Sequence, residues 1–532
     1  MYRLFFVSFV LLMAFSGYSE NPLPKHWHES GGFACGIKAG LDGEVYRVTN
    51  LKNSGPGSIV DAVSKGNRLV VFDVGGVIDL KGDSLVVKVK DITIAGITAP
   101  SPGITLIKGT LRTGGSNIVV SHITCRLGRF TTGKVGEGDA ADIYGSNIVY
   151  DHVEASWGVD EGISMYGAKD VTLYKTMVSE GLSVSIHEEG EHSKGSLIRT
   201  NTTNVTMIGT LYAFNALRSP RLHSESKVAL INGVIYGWFP GADDEGSKRF
   251  NYVISMHQAS MSVVGVVAMK GPESIADYLV SGHKTGTGSA YMEDNIIIDQ
   301  QGKALKEHTK AIKALTTKVA WPQGVVTQPA HESLYEVLRT AGPRPAERDA
   351  HTTRVIKHIV AGTGKHINNE DDVGGWPNYP ETRHSQPLTV PDGFEARRAW
   401  LDKLEDEVAV DTKIDLTRLY KLVGTEASDK YRYSTSINKQ IGSQKAIVSG
   451  ITLSQRNTGN KQLLAKFTLS AGTTVSMKVF DLAGNLVVDQ PQKYFNTGNH
   501  KITANIQHLP VGHYVCRFQT GNTTQNISYT CY

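Results

Sequence analysis

Short stretches of alternating apolar and polar residues follow one another from about Leu69 to Asp299, separated by Gly, Asn and Asp. Several begin with a polar corner that carries Asn or Asp, as in Ser116–Val120 and Ser146–Tyr150. The corner residues recur in steps of 26, 30, 23 and 34 residues, at Asp91, Asn117, Asn147, Asp170 and Asn204. A period in the twenties with variable insertions is typical of a solenoid whose coils stack on one another. The pattern predicts an all-β fold, a right-handed parallel β-helix over residues 20–300.

The rest of the chain has a different pattern. Ala304–Lys318, Ser333–Thr340 and Leu401–Glu407 are helix-prone and lie in a loop-rich segment, 301–411, which we expect to pack along the solenoid. A polar linker is predicted at 412–445. Strands return over 446–532 and predict a small C-terminal β-sandwich.

Residues 1–19 have the pattern of an export signal. Arg3 precedes an apolar core, Leu4–Phe15, and the small residues Gly17 and Ser19 suit a cleavage site after Ser19. The apolar stretch is too short to span a bilayer, and an N-terminal anchor is the alternative. We therefore expect a secreted protein with no membrane span.

Composition and net charge limit the classes of function that the chain could have. The 532 residues carry a net charge of +4, with 55 glycines and 8% aromatic residues. Mild basicity is compatible with an anionic substrate but does not indicate nucleic-acid binding. We expect a monomer.

Four cysteines permit disulfides in an exported chain. Cys516 and Cys531 lie on either side of the turn-like segment 520–525, which predicts a cross-strand disulfide between them. Cys35 and Cys125 either pair or remain as two buried free thiols.

Two acidic residues have a spacing that suggests a metal site. Asp139 and Asp160 are 21 residues apart, close to one solenoid turn, and equivalent positions in successive coils lie about 4.8 Å apart. Carboxylates that close repel unless a cation lies between them, and Ca²⁺ prefers oxygen ligands. The alternative is two solvated acids in loops.

Several motifs resemble the pectate lyases of polysaccharide lyase family 1, in the right order over roughly residues 45–380. The matching segments are Val48–Ser58, Ile94–Pro100, Gly138–Ala140, Ser146–His152, Trp157–Glu161, Arg218–Arg221, Gly362–Lys365 and Val373–Pro377. The resemblance implies Ca²⁺-dependent β-elimination of α-1,4-polygalacturonate to 4,5-unsaturated oligogalacturonates. A pectin lyase that takes methylated pectin without Ca²⁺ and a non-catalytic polysaccharide-binding β-helix are the alternatives.

The resemblance also implies residue roles. Asp139 and Asp160 would be calcium ligands, with Glu161 as a further candidate. Arg218 has the position of the proton-abstracting arginine, although it could instead stabilise the carbanion while another group takes the proton. Arg221 would bind a substrate carboxylate, and structural salt bridges are the alternative for both arginines.

Four further residues lie in loops or coil ends on the expected cleft side and are candidate substrate-binding residues: Arg126, His187, His192 and Lys194. The C-terminal segment resembles secretion-and-sorting domains of exported enzymes, through Val479–Asn485, Gly498–His500 and Leu509–Tyr514. This resemblance implies contact with secretion machinery. A carbohydrate-binding role and an inert stalk are the alternatives.

Overall fold

The structure is a computed structural model with two compact units, Met1–Glu426 and Ala427–Tyr532. It describes residues 23–130, 138–199, 201–223, 225–242, 249–250, 252–283, 286–423, 448–456, 461–469, 472–481, 486–510, 512–520 and 523–531. The predicted export signal at 1–19 lies outside these ranges, as does most of the predicted linker at 412–445.

The first unit contains three long sheets and a short antiparallel pair, β22 (Gly241–Ala242) and β23 (Arg249–Phe250). Strands from successive coils pair in parallel within each long sheet. The first sheet contains β1 (Glu44–Val48), β2 (Arg68–Phe72), β5 (Lys90–Ala95), β8 (Ser116–Ser121), β11 (Ser146–Asp151), β14 (Lys169–Tyr174), β17 (Thr203–Ile208), β20 (Lys227–Ile231), β25 (Ala259–Val264), β28 (Gly288–Glu293) and β31 (Ile312–Ala314). The second contains β4 (Leu85–Val87), β7 (Leu111–Thr113), β10 (Ala141–Ile143), β13 (Glu161–Tyr166), β16 (Lys194–Arg199), β19 (Arg221–His223), β24 (Ile254–His257), β27 (Tyr278–Gly282) and β30 (Lys306–His308). The third contains β3 (Val74–Asp79), β6 (Ile104–Ile107), β9 (Ile123–Arg126), β12 (Glu154–Ser156), β15 (Met177–Ser179), β18 (Leu211–Ala213), β21 (Val234–Tyr236), β26 (Val267–Met269) and β29 (Ile296–Ile298), with β32 (Thr382–Arg383) added antiparallel to β3. This is the predicted parallel β-helix.

A stack of aliphatic side chains fills the interior. Strands of the first sheet pair in register, so one interior position repeats in seven successive coils and is buried each time: Ile92, Ile118, Ile148, Val171, Val205, Val228 and Met261. Each coil buries this position against the coils before and after it. The apolar alternation therefore specifies a continuous core, not separate hairpins.

The recurring Asn and Asp corner residues have a conformational role. All five adopt left-handed backbone angles, with φ between 55° and 60°, a region that Asn and Asp enter more readily than most residues. Their side chains also bond from coil to coil. The amide Nδ2 of Asn117 donates to Oδ1 of Asp91 (2.7 Å), that of Asn147 to Oδ1 of Asn117 (3.1 Å), and that of Asn204 to Oδ1 of Asp170 (2.8 Å). The motif marks the turn that enters the first sheet.

Helices cover parts of the β-helix surface. They are α1 (Ile59–Ala62), α2 (Ala330–Thr340), α3 (Ala350–Ala361), α4 (Phe394–Val408) and α5 (Thr417–Leu422), with 3-10 turns at Trp27–Glu29, Gly96–Thr98, Pro345–Glu347 and Glu370–Val373. Helices α2, α3 and α5 share an apolar cluster with the third sheet. Helix α4 packs near Leu41, Leu69 and Val71, on the first-sheet side. No described helix is long and apolar enough to cross a membrane.

The helical predictions for 301–411 have different outcomes. Ser333–Thr340 is helical within α2, and Leu401–Glu407 is helical within α4. The helix predicted at Ala304–Lys318 is wrong, because this segment contains β30 and β31, which pair with β27 and β28. Pairing with the preceding coil overrides the weak helical preference of this segment.

The second unit consists of two antiparallel sheets over one apolar core, as predicted for the C-terminal segment. One sheet contains β33 (Val448–Arg456), β34 (Gln462–Leu469) and β37 (Gly498–Asn505). The other contains β35 (Thr473–Asp481), β36 (Leu486–Phe495), β38 (Gly512–Thr520) and β39 (Thr523–Cys531).

The predicted Cys516–Cys531 disulfide is wrong. Strands β38 and β39 pair so that Thr520 is opposite Thr523, which places Cys516 opposite Ile527 and Cys531 opposite Gly512. Both cysteines are buried free thiols, and Cys35 and Cys125 are also free. The turn sets the hairpin register, and it lies closer to Cys516 than the symmetry of the two cysteines suggested.

Candidate active site

An acidic cluster forms where two successive coils enter the second sheet. Asp139 precedes β10, while Asp160 directly precedes β13 and Glu161 begins it, one coil later. One carboxylate oxygen from each of the three lies within 4.8 Å of the others. The backbone N–H of Glu161 donates to Oδ1 of Asp139 (2.8 Å), which holds the two coils together at this point. The spacing argument for Asp139 and Asp160 thus describes a real convergence of side chains.

The cluster is electrostatically unfavourable without a cation. Burial, and then the negative charge of Glu161, raises the pKa of Asp139 well above its usual value. Burial also raises the pKa of Glu161, although the positive charge of Arg218 opposes that shift. Three converging carboxylates supply hard oxygen donors, the ligand type that Ca²⁺ takes. The donor set therefore fits a calcium ion.

Basic residues from the next two coils lie beside the acids. Lys194, fully buried, is in register with Glu161 on the neighbouring strand. Arg218 follows in the next coil and forms an ion pair with the Glu161 carboxylate through Nη1. Arg221 lies on β19, opposite Leu197 of β16, and is 8% exposed. The second sheet therefore places acids and cations in adjacent coils.

Two histidines complete the surroundings of Asp160. They come from the segment between β15 and β16, and their rings stack with centroids 3.6 Å apart. His192 Nε2 lies 3.2 Å from Oδ1 of Asp160, and His187 Nε2 lies 3.9 Å from its Oδ2. Burial, and then the charge of Lys194, lowers the pKa of His192 to about 3, so its ring is neutral near neutral pH. Asp160 thus belongs to the acidic cluster and also lies against the histidine pair.

Arg126 does not belong to this site, and its prediction as a substrate-binding residue is wrong. Its side chain is fully buried at the end of β9 in the third sheet. The guanidinium binds Glu154 at 2.8 Å and Asp349 at 2.5 Å, and stacks over Trp157 at 5.5 Å. A side chain enclosed in this way has no surface to offer a polysaccharide.

Sequence reasoning did not assign a role to Asp142 or Arg112, which border the acidic cluster. Asp142 on β10 is in register with Arg112 of the preceding coil, whose Nε donates to Asp142 Oδ2 (2.8 Å). The Asp142 side chain is buried, and its negative charge contributes to the raised pKa of Asp139. The available signal was the position of Asp142, an acidic residue three positions after Asp139.

Comparisons with known proteins identify the family of the chain. The chain is 32% identical over 361 residues to a probable pectate lyase C of Emericella nidulans, covering 65% of this chain and 78% of the relative. It is 30% identical over 398 residues to a probable pectate lyase C of Aspergillus flavus, covering 72% of this chain and 89% of the relative. A solved pectate lyase variant from Xanthomonas campestris matches at 14% identity and a TM-score of 0.35, over 60% of this chain and 99% of that one. Residues 460–528 match a family described as a secretion system C-terminal sorting domain.

These relatives show that the chain is a polysaccharide lyase. The chain belongs to the pectate lyase family. Its C-terminal unit carries a secretion-type sorting domain, which indicates secretion.

Proposed function

We propose that this protein cleaves α-1,4-polygalacturonate by Ca²⁺-dependent β-elimination and releases 4,5-unsaturated oligogalacturonates. The observation that carries the proposal is the convergence of Asp139, Asp160 and Glu161 beside Arg218, in a chain related to pectate lyases. An anionic polymer suits a site that combines cationic side chains with a donor set for a hard cation.

Asp139 and Asp160 would hold the calcium ion, with Glu161 as a third oxygen donor. Bound Ca²⁺ supplies Lewis-acid stabilisation of the negative charge that develops on the substrate's C6 carboxylate. Asp142 would keep Arg112 beside the cluster through their 2.8 Å hydrogen bond. Glu161 belongs to the acidic cluster and also forms the ion pair with Arg218. Calcium binding at the cluster would therefore affect the position of Arg218.

Arg218 is the proposed catalytic residue. In the elimination, the proton on C5 moves to a base, the C5–H electron pair forms the C4–C5 double bond, and the C4–O bond breaks with its electrons on oxygen. As the base, Arg218 would have to be a neutral guanidine, and its ion pair with Glu161 favours the charged form. Arg218 could instead remain a cation that stabilises the carbanion while another group takes the proton.

The other cations would bind substrate. Arg221 has a planar fork suited to a carboxylate of the polymer. Lys194 is the exception, because it is fully buried, and it would act through its positive charge next to Glu161 without touching the polymer. We also propose His187 as a substrate contact, because it lies next to the acidic cluster. His187 would act through its position beside Asp160.

The test is an activity assay on the full chain with polygalacturonate, following ultraviolet absorbance of the unsaturated product with Ca²⁺ or with EDTA. We expect product only with Ca²⁺. Asp139→Asn should raise the Ca²⁺ concentration needed for half-maximal rate, and Arg218→Ala should lower kcat by about 100- to 10,000-fold. Matched controls are Arg199→Lys, on the exposed end of β16, and Asp277→Asn, whose partner is Lys270 (2.5 Å). Both controls should retain wild-type rates.

The pH profile of Arg218→Lys separates the two roles of this residue. Lysine loses its proton at lower pH than arginine, so a base at this position should recover activity as pH rises towards about 10. A purely electrostatic role predicts no such recovery. No unsaturated product from polygalacturonate with Ca²⁺ would refute the proposal, and EDTA-resistant activity on methylated pectin would favour a pectin lyase.

We further propose that residues 1–19 direct export and that the C-terminal unit delivers a monomeric enzyme to the cell exterior through secretion machinery. Deletion of 446–532 should leave activity intact and strongly reduce release of the enzyme into the medium, because the export signal remains but the sorting step is lost. Release of the shortened enzyme into the medium at the normal level would contradict a sorting role.

A further inference from the structure

A second group of titratable side chains lies at a corner of the β-helix, away from the second sheet. His122 and His152 follow the first-sheet strands β8 and β11, at equivalent positions in successive coils. Both adopt left-handed backbone angles, with φ of 55° and 50°, and their rings stack 4.7 Å apart with a 19° angle between planes. The corner geometry therefore directs two imidazoles to the same place.

Two carboxylates face these rings. Asp151, the last residue of β11, lies with Oδ1 2.7 Å from His152 Nδ1 and Oδ2 3.8 Å from His122 Nδ1. Glu405 comes from helix α4, and its Oε1 lies 3.6 Å from His152 Nδ1. One potential ligand atom from each of the four side chains lies within 4.8 Å of the others. Two neighbouring coils and a distant helix thus supply one compact donor set.

Several polar atoms of this group are buried without a hydrogen-bond partner among the described residues. They are both ring nitrogens of His122, Nε2 of His152 and Oε1 of Glu405. The two histidines are each 1% exposed and Glu405 is 5% exposed. Buried polar atoms are nearly always paired, because leaving them unpaired is unfavourable. Buried polar atoms without a partner on three side chains of one cluster, His122, His152 and Glu405, indicate an occupant.

We propose that His122, Asp151, His152 and Glu405 bind a structural Zn²⁺ ion. Two imidazoles and two carboxylates make a nitrogen–oxygen set for four-coordinate zinc, whereas Ca²⁺ takes oxygen ligands alone. Two carboxylates and a divalent cation also sum to zero charge, which suits a buried position. With four protein ligands the site is closed, so its role is to fasten α4 to the corner of the β-helix.

Neighbouring groups support this placement. His26 Nδ1 lies 3.3 Å from the other Glu405 oxygen, Oε2, and Asp402 Oδ1 lies 3.9 Å from the same nitrogen. These contacts orient the Glu405 carboxylate from behind, as outer-shell partners do in metal sites. The N-terminal segment and α4 would then meet around the same ion. The proposal is independent of the proposed lyase mechanism, since no residue is shared between the two sites.

The test uses the full chain purified without chelators, with elemental analysis after dialysis into metal-free buffer. We expect about one zinc per chain, and a zinc-edge anomalous difference peak between the four side chains in wild-type crystals. Glu405→Gln and His122→Ala should each lose bound zinc. Asp139→Asn, in the acidic cluster, should retain it. Glu336→Gln is the matched control, because Glu336 pairs with Lys175 (3.4 Å) at the next coil of the same corner and should also retain zinc.

Thermal unfolding gives a second measurement. A zinc-selective chelator should lower the Tm of the wild type and leave that of Glu405→Gln unchanged. If Glu405→Gln fails to fold, the wild-type anomalous peak and zinc content still decide. Absence of zinc after zinc addition, zinc content unchanged in Glu405→Gln, or a water molecule bridging the two rings in density would each overturn the proposal.

Discussion

Replacement of Arg126 by Met tests whether this residue supports the fold or the substrate. Arg126 is fully buried and binds the carboxylates of Glu154 and Asp349, whose side chains are 2% and 9% exposed. Burial alone would raise the pKa of Asp349, but the charge and hydrogen bonds of Arg126 hold it well below its usual value. The variant therefore leaves two buried carboxylates without their counter-charge.

The expected loss of stability is large. Breaking a buried ion pair by removing one partner costs about 3–5 kcal/mol, against a total of about 5–15 kcal/mol for a typical domain. Arg383→Met is the matched control, since Arg383 pairs with Glu381 (2.5 Å) but its side chain is 59% exposed. A surface pair of that kind contributes at most about 1 kcal/mol.

Urea unfolding followed by tryptophan fluorescence measures this difference. All six tryptophans lie before residue 427, so the signal reports the first unit alone. We expect a much lower urea midpoint for Arg126→Met, a nearly unchanged midpoint for Arg383→Met, and an unchanged KM for polygalacturonate in both. A raised KM with wild-type stability in Arg126→Met would show that Arg126 binds substrate and would refute the argument from burial.

Two further predictions concern protonation and thiols. Burial, and then the charge of Arg126, lowers the pKa of His351 to about 4 from an ordinary 6.5, so the unfolded chain takes up this proton before the folded one. Stability should therefore fall as pH drops from about 6.5 to about 4, and His351→Asn should reduce that slope in urea titrations, whereas an unchanged slope would contradict the shift. Burial raises the pKa of the Cys516 thiol to about 12. We therefore expect this thiol to react with thiol reagents only after the protein unfolds, whether or not the protein is first reduced. Rapid labelling of the native protein, or labelling that requires reduction, would count against a buried free thiol.

The parts of the fold that repeat were predictable. The inward direction of Ile118 and Ile148 follows from the alternation of side chains along a strand. The corner positions of Asn117 and Asn147 follow from backbone angles that few residues adopt. Both are local properties of the sequence. The convergence of Asp139 and Asp160 followed from the coil length, because stacking turns a period in sequence into proximity in space.

The exceptions depended on contacts between distant segments. The sequence suggested a cleft position for Arg126, but the structure pairs it with Asp349, the residue that caps the N-terminus of α3. The segment at 304–318 has a helix-forming composition, yet it pairs with the previous coil as β30 and β31. No local pattern describes either outcome.

The amino-acid sequence by itself determined the period of the β-helix, the corner turns and the residues that face the core, because each depends on neighbours along the chain. Only the tertiary structure decided whether a charged residue lies at the candidate site or is buried in the scaffold. It also decided the register of the last hairpin and the position of Glu405 beside His122 and His152. These depend on which segments pack together, and burial then decides whether a charge becomes part of the site or part of the scaffold.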